Sequence, residues 1–136
     1  MINPIEHSKT KDAANKYKVE PYAIPADIYE AKGLEGRGGW TWYTGSSSWY
    51  CKVGMEDILG LKIEKDILRI NPHISKEWKE YSIRYKFKNT IYNILVKNPN
   101  GKNMGIDKFF LNGALIEDKK IKLLDNGNIN EIEIIM

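Results

Sequence analysis

The chain has 136 residues, of which 42% are hydrophobic and 29% charged; this is one average domain or the tail of a longer protein, and it excludes a disordered polyelectrolyte. Net charge is only +3, from 21 basic and 18 acidic residues, and lysines alternate with acids as in Lys62-Ile63-Glu64-Lys65-Asp66, so the one-sided basic surface of a nucleic-acid binder is missing. Cys51 is the single cysteine, which excludes an internal disulfide and a cysteine-based zinc site. No apolar run is long enough for a membrane helix, and Met1-Ile2-Asn3-Pro4 lacks the basic-then-apolar start of a secretory leader, so a cytoplasmic location is expected.

Helical signals fill residues 1–60. Ser8 or Thr10 can cap a short helix over residues 12–17, because a side-chain oxygen there satisfies free amides. Pro21 suits the first turn of a second helix over residues 22–32, which Gly33 would end. A loop rich in glycine and aromatics follows, Gly33 to Gly45. A third helix is expected over residues 46–58, with Trp49, Val53 and Ile58 at near-helical spacing and Gly60 as its stop. Its N-terminus opens at Thr44-Gly45-Ser46-Ser47-Ser48.

After Gly60 the period becomes two. Leu61-Lys62-Ile63 and Ile67-Leu68-Arg69-Ile70 read as a strand pair, and residues 81–88 and 91–96 as two further strands around an Asn89-Thr90 turn. Asn98-Pro99-Asn100-Gly101 and Asn112-Gly113 mark turns, the second a hairpin signal. Leu115-Ile116, residues 120–123 and residues 131–135 complete about seven short strands, a number that implies an antiparallel sandwich or jelly roll over residues 61–136. The fold class is α+β.

Chemistry concentrates in the glycine-rich loop. The free amides and positive dipole end at Thr44-Gly45-Ser46 suit an anion, and Arg37 can add a guanidinium fork. The same sequence also suits an ordinary N-cap. Trp40, Trp42, Tyr43, Trp49 and Tyr50 are either a stacking surface for sugar C–H faces or core. Glu20 and Asp27 either line a cleft or sit on a solvated helix face. His7 and His73 share no metal-ligand spacing and read as structural, and Cys51 reads as a buried thiol. No glycosidase-type carboxylate pair is evident.

Three segments, Ile2-Asn3-Pro4-Ile5-Glu6-His7, Tyr17-Lys18-Val19-Glu20-Pro21-Tyr22 and Gly36-Arg37-Gly38-Gly39-Trp40-Thr41-Trp42-Tyr43-Thr44-Gly45-Ser46, closely resemble the C-terminal part of glycoside hydrolase family 94. That family comprises cellobiose, chitobiose and β-1,2-oligoglucan phosphorylases and the corresponding end of cyclic β-1,2-glucan synthase. The likeness covers about residues 1–100 and continues through Ile70-Asn71-Pro72 and Trp78. It implies that residues 1–60 are the last helices of an (α/α)6 six-hairpin barrel and residues 61–136 a C-terminal jelly-roll-like sandwich. It also implies an inverting phosphorolysis of a β-glucan, or the reverse transfer from glucose 1-phosphate, with inorganic phosphate as co-substrate and no other cofactor or metal.

By that resemblance Thr44 and Gly45 contact phosphate, whereas Glu20, Arg37, Trp40 and Trp42 are candidates for lining the cleft from their residue types alone. The family's acid aspartate and phosphate-contacting histidine would lie upstream, so no catalytic residue is expected within these 136. The chain then reads as a fragment, inactive alone, that pairs with a separately encoded upstream half or with a second copy through exposed aromatic surface. A non-catalytic carbohydrate-binding or structural β-sandwich module is the alternative.

Overall fold

The computed structural model describes residues 3–42 and 44–136, leaving aside the side chains of Pro4 and Thr44. Met1, Ile2 and Tyr43 lie outside the described residues, and with them the start of the first family-like segment and one ring of the expected aromatic cluster. The chain forms two compact units, Met1–Lys52 and Val53–Met136, and its class is α+β. No helix among the described residues is long and apolar enough to cross a membrane.

In the first unit, α1 (Pro4–Ser8) starts where the Asn3 side chain accepts the Ile5 N–H at 3.1 Å. A second helix, α2 (Lys11–Tyr17), is capped by Thr10, whose hydroxyl accepts the Ala13 N–H at 3.1 Å. Lys18 turns left-handed (φ 61°) to end it and donates its amide to Ala14. Of the two expected caps, Thr10 is the one used.

The helix expected over residues 22–32 does not form. Ile24 precedes Pro25, which pushes it toward extended backbone, and Pro25 has no amide to donate. Instead residues 26–29 run antiparallel to 36–40: the amides of Ala26 and Tyr29 donate to the carbonyls of Trp40 and Arg37, and that of Gly39 donates back to Asp27. Ile28 and Gly38 face each other in this ladder.

The third helix, α3 (Thr44–Lys52), begins two residues earlier than expected and passes into a π-helical turn, Val53–Ile58, marked by a Leu59 amide to Gly54 carbonyl bond of 2.9 Å. The expected apolar face is not buried, for Trp49 is 68% exposed and Val53 and Ile58 are exposed too. Gly60 (φ 76°) stops the turn, and a Cβ there would strike the Asn71 and Pro72 backbone.

The second unit holds two sheets. β1 (Leu61–Glu64), β2 (Ile67–Ile70) and β7 (Lys120–Lys122) pair antiparallel in the order β1-β2-β7. β3 (Glu80–Phe87), β4 (Thr90–Lys97), β5 (Lys108–Leu111), β6 (Ala114–Leu115) and β8 (Ile129–Ile135) form a sheet of order β3-β4-β8-β5-β6. Purely antiparallel pairing was expected, but β4 and β8 run parallel, with Ile94 opposite Ile132. The long segment between them carries three other strands and returns the chain in its original direction, as parallel pairing requires.

Alternation sorts the side chains. Tyr92, Ile94 and Val96 of β4, Phe109 of β5, Ile132 and Ile134 of β8, and Leu68 and Ile121 of the smaller sheet share one buried cluster. On edge strand β3 the inward Tyr81, Ile83, Tyr85 and Phe87 pack against it, while Glu80, Ser82, Arg84 and Lys86 are exposed, which discourages further strand pairing. Asn112 (φ 49°) and Gly113 (φ 81°) make the expected hairpin between β5 and β6.

Buried polar groups tie the strand ends. The Asn98 side chain donates to the carbonyls of Trp78 (3.1 Å) and Lys102 (2.9 Å) and accepts the Lys102 amide (2.8 Å). Buried Thr90 accepts the amides of Asn126 and Gly127. The Tyr81 hydroxyl donates to the Leu59 carbonyl at 2.7 Å, and burial pushes its phenol well above the usual range. Asn98→Ala removes a buried side chain that serves three backbone groups, so a loss of about 3 kcal/mol is expected in urea unfolding followed by circular dichroism. Exposed Asn100→Ala should stay within about 0.5 kcal/mol.

Candidate functional site

The first unit carries a groove of about 440 Å³ bounded by Glu20, Tyr29, Arg37, Trp40, Thr41 and Trp42, with Gly38 and Gly39 in its wall. Four residues singled out in the sequence, Glu20, Arg37, Trp40 and Trp42, therefore meet at one surface. Two glycines make the wall thin. A Cβ on Gly38 would overlap Val19 and the buried Tyr17 ring, and one on Gly39 would overlap the Asp27 carboxylate. Asp27 also accepts the Trp40 amide at 3.1 Å, so this carboxylate holds the loop and does not face the groove as a free acid.

Glu20 is the ordered charge of the site. The Thr41 hydroxyl donates to its Oε2 at 2.7 Å. That bond first, then the Glu20 backbone amide and the Trp42 side chain, holds its carboxyl below the usual glutamate range. A carboxylate fixed in this way is an acceptor for donor groups and not a proton source near neutrality. Arg37 is exposed and makes no ion pair among the described residues, leaving its donors available to an anion.

Trp40 and Trp42 are 73% and 65% exposed, so these rings are surface and not core of the first unit. Trp42 sits at φ 66°, a left-handed conformation that costs a bulky residue about 1–3 kcal/mol. Tyr22 meets it edge-on, with ring centroids 5.8 Å apart. Beneath the wall, Tyr17 is fully buried and stacks on His7 at 3.9 Å and 4°, in keeping with a structural role for that histidine. Burial, and secondarily the Glu20 charge, pushes the Tyr17 phenol up.

The rest of the expected aromatic cluster lies elsewhere in the first unit. Trp49 and Tyr50 are exposed on α3, where the Lys52 ammonium sits 5.3 Å from the Trp49 ring centre. Cys51 is an exposed free thiol, contrary to the buried one expected, because α3 buries none of the faces that its sequence spacing offered. Gly45 is exposed in the first turn of α3, and an added Cβ would meet nothing within 4 Å. Sequence reasoning missed Thr41 and Tyr22; only the hydroxyl set between two indoles in Trp40-Thr41-Trp42 hinted at the first.

Comparison with known proteins finds the chain's relatives among carbohydrate-active enzymes. Residues 1–60 match the family described as "Glycosyl hydrolase 94 superfamily, catalytic domain", and the chain belongs to glycoside hydrolase family 94. It is 45% identical over 96 residues, 71% of its length, to the cyclic beta-(1,2)-glucan synthase NdvB of Rhizobium meliloti (strain 1021). It is 29% identical over 136 residues (99% of its length) to the N,N'-diacetylchitobiose phosphorylase of Vibrio furnissii, and 24% identical over 135 residues (98%) to the solabiose phosphorylase of Paenibacillus borealis. The chain spans 3% of the synthase and 16% of each of these phosphorylases.

Two outcomes follow from the wall and from Glu20. Gly38→Ala must displace a buried ring, so a loss of about 2 kcal/mol and a shifted tryptophan emission are expected. The folded-state carboxyl of Glu20 lies below its unfolded value. Its contribution is therefore complete above the unfolded glutamate value of about 4.3 and disappears as pH falls through the lowered folded value. Thr41→Val should move the Glu20 midpoint, followed by carboxyl carbon NMR, upward toward the ordinary value.

Proposed function

We propose that this chain supplies one wall of the carbohydrate cleft and part of the phosphate site of an inverting β-glucan phosphorylase or a cyclic β-1,2-glucan synthase-type enzyme. The observation that carries the reading is the groove itself: two exposed indoles beside an ordered carboxylate and a guanidinium with no ion pair among the described residues, within the segment that matches the family's catalytic domain. Indole faces suit sugar C–H surfaces, the Glu20 carboxylate accepts hydroxyl donors, and Arg37 suits phosphate.

In this reading Thr44 and Gly45 hold phosphate at the start of α3, where free amides and the helix dipole favour an oxyanion. The acid that protonates the leaving oxygen comes from sequence outside these residues. The three helices of the first unit are the closing helices of an (α/α)6 barrel, and the two sheets are a jelly-roll-like sandwich. Partners are a β-glucan oligosaccharide or glucose 1-phosphate, together with the remainder of the catalytic domain.

With neither general acid nor complete cleft, the main rate terms are missing. The pure 136-residue chain is expected to release no glucose 1-phosphate from β-1,2-gluco-oligosaccharides and phosphate; measurable turnover would refute the assignment. Gly45→Ala offers a sharper probe, since its methyl enters open space and should not disturb the fold. Phosphate binding at α3, followed by amide NMR shifts, should weaken about tenfold in that variant through lost close approach. Unchanged phosphate affinity would remove Gly45 from the site.

A further inference from the structure

We infer that the exposed face of the five-stranded sheet carries a second binding site, for a neutral oligosaccharide, built on Arg84, Asn93 and Glu131. These residues stand directly opposite one another on β3, β4 and β8. With Ser82 and Leu95 they line a groove of about 220 Å³. Two strand spacings separate the ends of the row, about 10 Å, which is long enough to follow more than one sugar ring.

The row is preorganised. The Asn93 amide donates to Glu131 Oε1 at 2.7 Å, which fixes both planar groups in line. Arg84 makes no ion pair among the described residues, so its guanidinium donors stay available. Charge complementarity selects the ligand. One cation, one amide and one anion sum to zero, and Lys97 on the same face is neutralised by Glu133 at 2.9 Å. A polyanion or polycation would meet as much repulsion as attraction here, whereas hydroxyls, which both donate and accept, match all three groups. Half-buried Leu95 supplies apolar contact for C–H faces.

This site lies in Val53–Met136, beyond the residues that match the catalytic-domain family, and stands independently of the groove in the first unit. The test is a titration of the 136-residue chain with a β-1,2-gluco-oligosaccharide, followed by backbone amide NMR. Saturable shifts are expected at residues 82, 84, 93, 95 and 131. Arg84→Ala and Glu131→Gln should each weaken binding about tenfold, whereas Lys86→Ala, one row away, should leave it unchanged. Raising the salt to about 0.5 M should change the affinity less than about twofold.

Full chemical-shift dispersion in each variant confirms that it folds. The absence of shifts at these five positions with about 10 mM sugar would overturn the site. Shifts confined to residues 19–42 would also overturn it while supporting the other groove. Binding of heparin that salt abolishes would show that this face takes an anionic polymer instead.

Discussion

The first unit depends on how closely one strand of backbone can lie against its neighbours at Gly38 and Gly39. The missing Cβ atoms let the loop rest on the buried Tyr17 ring, on Val19 and on the Asp27 carboxylate. Tyr17 in turn receives the Gly38 amide on its carbonyl at 2.9 Å, which joins the end of α2 to the loop. From that contact the short ladder between residues 26–29 and 36–40 follows, and from the ladder the positions of Arg37, Trp40 and Trp42. A unit with little regular structure is ordered by close approach and backbone pairing more than by a large apolar core.

The second unit is built by the opposite rule. Its strands alternate cleanly, one apolar cluster receives side chains from both sheets, and the few buried polar groups close turns. Asn98 and Thr90, at the two ends of β4, satisfy carbonyls and amides that strand pairing leaves over. Buried polar groups are tolerable because each is bonded. Binding surfaces are consequently confined to the outward rows, where Arg84, Asn93 and Glu131 stand.

Local signals were legible in the sequence and non-local ones were not. Thr10 announces α2 because capping is settled within three residues, and Asn112-Gly113 announces its hairpin because both positions need positive φ. Residues 22–32 look helical because Pro21 and Gly33 bracket them as start and stop, yet their amides are claimed by residues up to fourteen positions away, and Pro25 tips the balance. Trp49 and Cys51 look buried only if α3 has a partner for that face. Parallel pairing of β4 with β8 leaves no trace in either strand. At the candidate site, the indoles and Arg37 stand out within one motif, and Glu20 within another. The hydrogen bond that joins Glu20 to Thr41 spans 21 positions, and no spacing rule reaches that far.

Strand β8 is the last in the chain and the middle of its sheet, flanked by β4 and β5. During synthesis β3 and β4 can form a hairpin early, but the other half of the sheet has nothing to dock on until residues 129–135 emerge. Loop closure over some thirty residues then has to precede the reward of pairing, which makes this a slow step. The nascent chain therefore spends that interval with the β4 edge open, a row of unpaired backbone groups that strand β8 alone will cover.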